Sequence, residues 1–184
     1  MTDQPVSDWL GAQFALLHPQ LQSLHRDGGV LHGAVDIVFG RSLAGVFGRR
    51  LARRLGIPDA AGTHALEVDI SHDGAALYWD RRFDQGSRMA SVFRPVGHWP
   101  EGYWLEQTGP IELRLSVDVL DGGWYWRLLG AKFRGIPLPL WLLPQSKAYK
   151  RIENGSYRFH VGFSLPLFGL VLSYGGLLTA KIGD

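Results

Sequence analysis

Charged and aromatic side chains alternate at several places in the 184-residue chain, and these are the positions where chemistry could be done. In Trp79-Asp80-Arg81-Arg82-Phe83, extended backbone puts Arg81 on the same face as Trp79 and Phe83. In Tyr103-Trp104-Leu105-Glu106 it puts Glu106 beside Trp104. If those faces point inward, Arg81 and Glu106 are buried charges that must pair or meet a polar group on a ligand. If they point outward, they are ordinary surface residues. Arg127, between Trp126 and Leu128, and the cluster Lys150, Arg151 and Glu153 are further candidates for acid-base or carboxylate-binding work. Trp79, Tyr103, Trp104, Trp124, Trp126, Tyr157 and Tyr174 fall on or beside expected strands, where such rings fill a core or line a ligand cavity.

A second concentration of chemistry is positive. Arg41, Arg49, Arg50, Arg53 and Arg54 occur in a stretch with no acidic residue between Ile37 and Pro58. Guanidinium forks beside apolar residues suit a phosphate, a lipid headgroup or an anionic membrane surface. The plain alternative is a solvated helix face. Gly40-Arg41-Ser42 also precedes a helix, whose first amides form a generic anion site. Neither GxGxxG nor GxxxxGK[ST] is present, so nothing marks that junction for a nucleotide.

Several chemistries have no support. Zero cysteines remove disulfides, thiolate zinc sites and cysteine nucleophiles, and fit a reducing compartment. The seven histidines show neither H-x-H nor HExxH spacing, so no metal and no cofactor is expected. No G-x-S-x-G marks a serine hydrolase. A formal net charge of +2 is too small for a general polyanion binder, and the arginine cluster contains no aromatic residue except Phe47, so nucleic acid is not an expected partner. The N-terminal sequence lacks a basic segment followed by an apolar core, and a cytoplasmic protein is expected.

These residues need elements to hold them. Ser7 to Arg26 carries Leu10, Phe14, Leu17, Leu21 and Leu24 at helical spacing, interrupted by Pro19 and ended by Gly28-Gly29. Val30 to Phe39 reads as a strand, and Ser42 to Leu55 as a second helix stopped by Gly56 and Pro58. On that helix Leu43, Phe47, Leu51 and Leu55 form one stripe, with small Ala44, Gly48 and Ala52 beside it allowing close approach to a sheet.

After Thr63 the pattern is a meander: Leu66 to Ser71, Ala76 to Phe83, Arg88 to Arg94, then Ile111 to Val119 paired with Trp124 to Leu129 across Asp121-Gly122-Gly123. Tyr157 to Phe163 alternates again. Two apolar segments follow, divided by Pro166 and Gly169 and by Gly175-Gly176. Val161 to Ala180 is free of charge and about the ~20 residues a membrane helix needs, but its proline, glycines and period-two lead-in favour short buried strands. Phe133 to Pro144 holds three prolines among apolar residues and is expected to run irregularly across a barrel mouth or a sheet edge.

Six phrases carry a family resemblance: Phe14-Ala-Leu-Leu-His-Pro, Gly40-Arg-Ser-Leu-Ala-Gly running into Arg49-Arg-Leu-Ala-Arg-Arg-Leu-Gly-Ile-Pro, Trp79-Asp-Arg-Arg-Phe, Gly102-Tyr-Trp-Leu-Glu, Asp121-Gly-Gly-Trp-Tyr-Trp-Arg, and Gly135-Ile-Pro-Leu-Pro with Ala148-Tyr-Lys-Arg-Ile-Glu. Together, from about Leu10 to Leu178, they resemble a bacterial family filed as domain of unknown function 4166. Members occur alone or fused behind saccharopine-dehydrogenase-like domains. The resemblance therefore implies a loose link to redox or small-molecule metabolism, and a dehydrogenase-like partner by analogy. It marks Arg41, Arg81, Arg82, Glu106, Arg127, Lys150, Glu153 and Tyr157 as candidate positions without assigning them roles.

The expectation is one β-rich α+β domain over 1–184: a helix-strand-helix lead-in over 1–58, then antiparallel strands over 63–184. These form a curved antiparallel sheet or a partly open lipocalin-like barrel with two N-terminal helices. Three functions follow. In the first, an apolar or lipid-like molecule binds between the sheet and the Pro-rich segment, held by Trp79, Arg81, Trp104, Glu106, Trp126, Arg127, Tyr157 and Tyr174. In the second, an enzyme works on a small carbonyl or isoprenoid-like substrate with Glu106 as base and Arg81, Arg127 or Tyr157 as electrophile. In the third, a peripheral membrane or partner-binding module uses the Arg41-to-Leu55 helix, with Arg41, Ser42, Arg49, Arg50 and Arg53 as anion or headgroup contacts, and the apolar C-terminal region.

Overall fold

A computed structural model describes residues 4–139 and 145–183. The chain enters through α1 (Pro5–Leu10), a 3-10 turn (Gly11–Leu16) and α2 (Pro19–Asp27). Pro19 does not bend one helix; it starts a new one, with the His18 Nδ1 accepting the Gln20 amide as a cap. The strands are β1 (Gly29–Phe39), β2 (Gly62–His72), β3 (Leu77–Phe83), β4 (Arg88–Val96), β5 (Tyr103–Thr108), β6 (Ile111–Leu120), β7 (Gly123–Phe133), β8 (Ile136–Leu138), β9 (Gln145–Glu153), β10 (Ser156–Leu165) and β11 (Gly169–Ile182). The helix α3 (Ser42–Leu55) lies between β1 and β2 in sequence.

All pairings are antiparallel, in the order β6-β5-β4-β3-β2-β1-β11-β10-β9-β7-β8, and β6 also pairs with β7. That last pairing joins the two ends of the sheet, so ten strands close into a barrel and β8 hangs from β7 as an extra edge. The barrel is thus closed, where the sequence allowed a partly open one. Closure removes the free edges that an open sheet leaves to aggregation.

Directly opposed residues share a face, so register shows which side chains enter the lumen. Val68 faces Arg81, Ile70 faces Trp79 and Trp79 faces Ser91. Phe93 faces Glu106, Val117 faces Trp126 and Trp124 faces Lys150. Lys150 faces Phe159, Ile152 faces Tyr157 and Val161 faces Tyr174. The aromatic faces therefore point inward. The outer wall carries ion pairs instead, among them Arg82 with Glu67 at 3.3 Å, Arg88 with Asp80 at 2.7 Å and Lys132 with Glu112 at 2.8 Å.

α2 touches β2, β9 and β11, strands from different sides of the ring, and so crosses one end of the barrel. Its Leu21, Leu24 and His25 are buried there. Trp9 of α1 extends the same plug, packing edge-on against Trp104 at 5.6 Å and donating through its indole N–H to the Val96 carbonyl at 3.4 Å.

One expectation about the C-terminal strands needs correction. β11 runs unbroken through Gly175-Gly176, where a divided segment was expected. A Cβ on Gly176 would lie 2.2 Å from the Ala34 carbonyl oxygen, so glycine lets strands approach there and ends nothing. The described part of the Pro-rich segment forms exposed β8 along the end of β7, a sheet edge as the prolines require, while residues 140–144 lie outside the described residues. No helix among the described residues is long and apolar enough to cross a membrane, and the uncharged C-terminal stretch forms β10 and β11.

α3 packs against β11 and β1 at the end of the barrel opposite α2, and its C-terminal end reaches strand ends across the ring, where Arg54 lies over the Phe133 ring at 5.7 Å and Gly56 lies close against the Arg88 carbonyl. The face it buries is the small one, Ala44, Gly45, Gly48 and Ala52, because a Cβ on Gly48 would come 2.1 Å from the Val171 carbonyl oxygen. Leu43 and Phe47, expected to belong to the packing stripe, are exposed at 75% and 54%. Gly48→Ala tests this contact. In an unpacked helix the change stabilises by roughly 1 kcal/mol. Here it should destabilise by about 1–3 kcal/mol in urea unfolding, while Arg50→Ala on the exposed face stays within about 0.5 kcal/mol.

Candidate functional site

The lumen holds a small cavity of about 50 Å³ that is partly open to solvent. Leu31, Leu66, Val68, Phe93, Val161 and Leu178 make its apolar wall. Trp79, Arg81, Trp126, Lys150, Tyr157 and Tyr174 add aromatic and polar surface. The rings form a connected column: Trp104 lies 6.4 Å from Trp124, Trp124 lies 5.0 Å from Trp126, Trp126 stacks on Phe93 at 5.6 Å, and Phe93 meets Trp79 at 6.0 Å. Such neighbours restrict each other's rotamers, so the wall is preformed.

Arg81 is buried and donates from Nη1 to the Ser91 hydroxyl at 3.0 Å. Ser91 and Thr108 hydroxyls are 2.6 Å apart, and Thr108 donates to Glu106 Oε1 at 3.2 Å. The directions are consistent along the row: Arg81 gives to Ser91, Ser91 to Thr108, Thr108 to the carboxylate. Arg81 and Glu106 are therefore joined through two hydroxyls. Burial pushes the Glu106 carboxyl up, against the pull of Arg81 and the hydroxyl hydrogen bonds.

Lys150 has no such relay. It is 2% exposed, and its Nζ finds no hydrogen-bond partner among the described residues. The amine sits 4.2 Å from the Trp124 ring centre, 4.6 Å from Trp79 and 5.8 Å from Trp126. Burial holds its pKa well below the usual lysine range, and the Arg81 charge adds to that. The Tyr157 hydroxyl is likewise without a partner among the described residues, and burial raises its pKa, so it keeps its proton and stays a donor. Beneath them His25 of α2 lies tilted against Trp124 at 5.0 Å with both ring nitrogens unpartnered among the described residues, kept neutral by burial, then by Lys150 and His72.

The structure brings together Trp79, Arg81, Trp126, Tyr157 and Tyr174 of the expected set at the cavity wall. Glu106 joins them through the relay. Trp104 is fully buried between Trp9 and Trp124 and serves the core behind the wall. Arg127 is not in the site: it points outward, bonded to Ser116 at 3.3 Å and 3.7 Å from Asp118. Arg82 and Glu153 are also outside, paired with Glu67 and with Arg158. Arg41 and Ser42 are exposed at the start of α3, Arg49 lies over the Phe39 ring at 4.9 Å, Arg50 is exposed, and Arg53 pairs with Asp59 at 2.7 Å. They form a surface separate from the lumen.

The family model described as Domain of unknown function (DUF4166) matches residues 17–178. The chain belongs to this family. The match spans α2 and every strand up to Leu178 in β11, so the whole lumen constellation lies within the family's domain. No curated protein matches the chain.

An unpaired buried amine disfavours the fold unless something compensates it, which sets up a stability test. Lys150→Met keeps the volume and removes the polar atom, and should stabilise by about 1–3 kcal/mol, with roughly 2–4 °C in Tm for each kcal/mol. The pH dependence has a definite sign. Because the folded-state pKa lies below the unfolded one, the unfolded chain holds the extra proton between the two values. Stability of the wild type should therefore rise with pH through that window up to the ordinary lysine range, and the K150M protein should lack that rise in pH-dependent denaturation.

Proposed function

We propose that the barrel lumen binds a small, mainly apolar molecule whose one electron-rich end, a carboxylate or a carbonyl oxygen, is held by donors on the inner wall. The observation that carries this reading is three donors, the Arg81 guanidinium, the Lys150 amine and the Tyr157 hydroxyl, projecting into an otherwise apolar, aromatic cavity. Two of them are unpartnered among the described residues. Buried polar groups are ordinarily satisfied, so a donor-rich hollow is matched by a ligand that brings acceptors. The small volume favours a short molecule, or the head of a longer one whose tail leaves through the solvent-open side.

Decanoate is a suitable probe. Binding should quench tryptophan emission, since Trp79 and Trp126 form part of the wall. Tyr157→Phe removes one donor without opening space, and should weaken binding about 3–10-fold while leaving Tm equal or higher. Saturable quenching by neither decanoate nor decanal, at concentrations up to their solubility, would remove this function.

A second reading concerns the outside of the barrel, and the orientation of α3 favours it. Leu43, Val46 and Phe47 point to solvent beside Arg41, Arg49 and Arg50, and the β10–β11 turn adds exposed Leu167 and Phe168 next to the Gly40–Val171 contact. Apolar side chains flanked by arginines match the interface of an anionic bilayer. The protein should co-sediment with vesicles containing phosphatidylglycerol and not with phosphatidylcholine alone, and Phe47→Glu should cut the bound fraction at least about fivefold. Equal binding to both vesicle types would contradict the electrostatic part.

A further inference from the structure

Lys150 is the one lysine of the chain's four, Lys132, Lys147, Lys150 and Lys181, that is buried in the lumen. Among the described residues its surroundings give it no anion. The carboxylate nearest in kind, Glu106, is already engaged by Thr108 and through Ser91 by Arg81, and the charge that acts on Lys150 is Arg81, also a cation. The amine rests on the faces of Trp79 and Trp124, which satisfy neither of its hydrogens by hydrogen bonding. A primary amine kept neutral in an apolar pocket retains its lone pair and is a nucleophile toward carbonyl carbon.

We propose that Lys150 forms a reversible imine with an aldehyde or ketone carried by an apolar ligand in the lumen, so that the barrel holds a carbonyl compound covalently. This deepens the lumen-binding function and rests on it. The step balances without any oxidant or reductant. The Nζ lone pair attacks the carbonyl carbon, a C–N bond forms, and a proton passes from nitrogen to oxygen to give a carbinolamine. The C–O bond then breaks with loss of water as the nitrogen lone pair closes the C=N bond. Amine and carbonyl compound give imine and water.

Two features of the wall serve these events. Tyr157 opposes Ile152, two residues from Lys150 on the same inner face, so the two backbones are diagonal neighbours about 7–8 Å apart and both side chains line the same cavity. A carbonyl placed between them receives the amine on carbon and a hydrogen bond on oxygen. The Trp79 and Trp124 rings, already within cation-π range of Nζ, stabilise the cationic iminium through which the C=N bond forms and hydrolyses.

The test uses the full chain with decanal as probe and borohydride to trap any imine as a stable amine. Expected is one adduct, mapped by peptide mass spectrometry to Lys150 and formed at least about tenfold faster than at Lys132, Lys147 or Lys181, none of which is buried in the lumen. Lys150→Met and Lys150→Arg should abolish this adduct and weaken decanoate binding by loss of one donor, whereas Lys132→Arg on the outer wall should leave both the Lys150 adduct and decanoate quenching unchanged. Decanal that quenches wild-type emission but leaves no reducible adduct at Lys150, or adducts spread evenly over the four lysines, overturns the imine and leaves the lumen site standing. Absence of quenching by decanal and decanoate alike overturns both.

Discussion

Lys150 sits where an unpaired positive charge is strongly disfavoured, inside a ring of tryptophan faces with a guanidinium for its nearest charged influence and the lumen carboxylate already engaged. A fold that only needed a filled interior would place methionine or leucine there, since buried polar groups without partners cost about 1–3 kcal/mol. Arg81, Tyr157 and His25 share the same enclosure, so the departure from an apolar core is concentrated in one place. Residues that break local packing rules in this way are found where function demands them. The rest of the lumen supports that concentration: the aromatic column fixes the wall, and the Arg81-Ser91-Thr108-Glu106 row gives the guanidinium its counter-charge at a distance.

The barrel makes this environment possible by closing. Pairing of β6 with β7 completes the ring, and α2 with Trp9 stops one end, so the polar groups are shielded from that side. Glycines at strand and helix contacts allow the approach this demands, Gly176 between β11 and β1 and Gly48 between α3 and β11. α3 is consequently pressed onto the wall by its small face, and its large apolar residues and arginines are left outside. Inner and outer surfaces thus offer two chemistries that share no side chain.

Much of the frame was legible in the sequence, because the alternation in β3, β6, β7 and β10 is a direct imprint of one buried face. The same alternation placed Arg81 and Glu106 beside their tryptophans, though whether that face looked inward depended on closure, which no local pattern encodes. Lys150 was named without a place because Lys147, Tyr149 and Arg151 share β9 with it and blur the period, so the inward Ala148-Lys150-Ile152 row shows only in register. Ser91 was visible as a polar residue between Met89 and Phe93 on one face of β4, yet its role depends on Thr108, which comes from another strand. α3 misled for a physical reason: its stripe of Leu43 and Phe47 has the right spacing for a core, but glycines on the adjacent face permit a closer contact than leucines do.

The charge state of Lys150 decides between a desolvated binding lumen and a wet or collapsed one. With four lysines in the chain, 13Cε resonances of labelled lysine can be assigned by substitution and followed through a pH titration. The Lys150 resonance should change at a pH well below the usual lysine range, and should shift when an apolar carbonyl compound is added. Titration of Lys150 in the ordinary lysine range would contradict a dry, donor-rich interior and the function built on it.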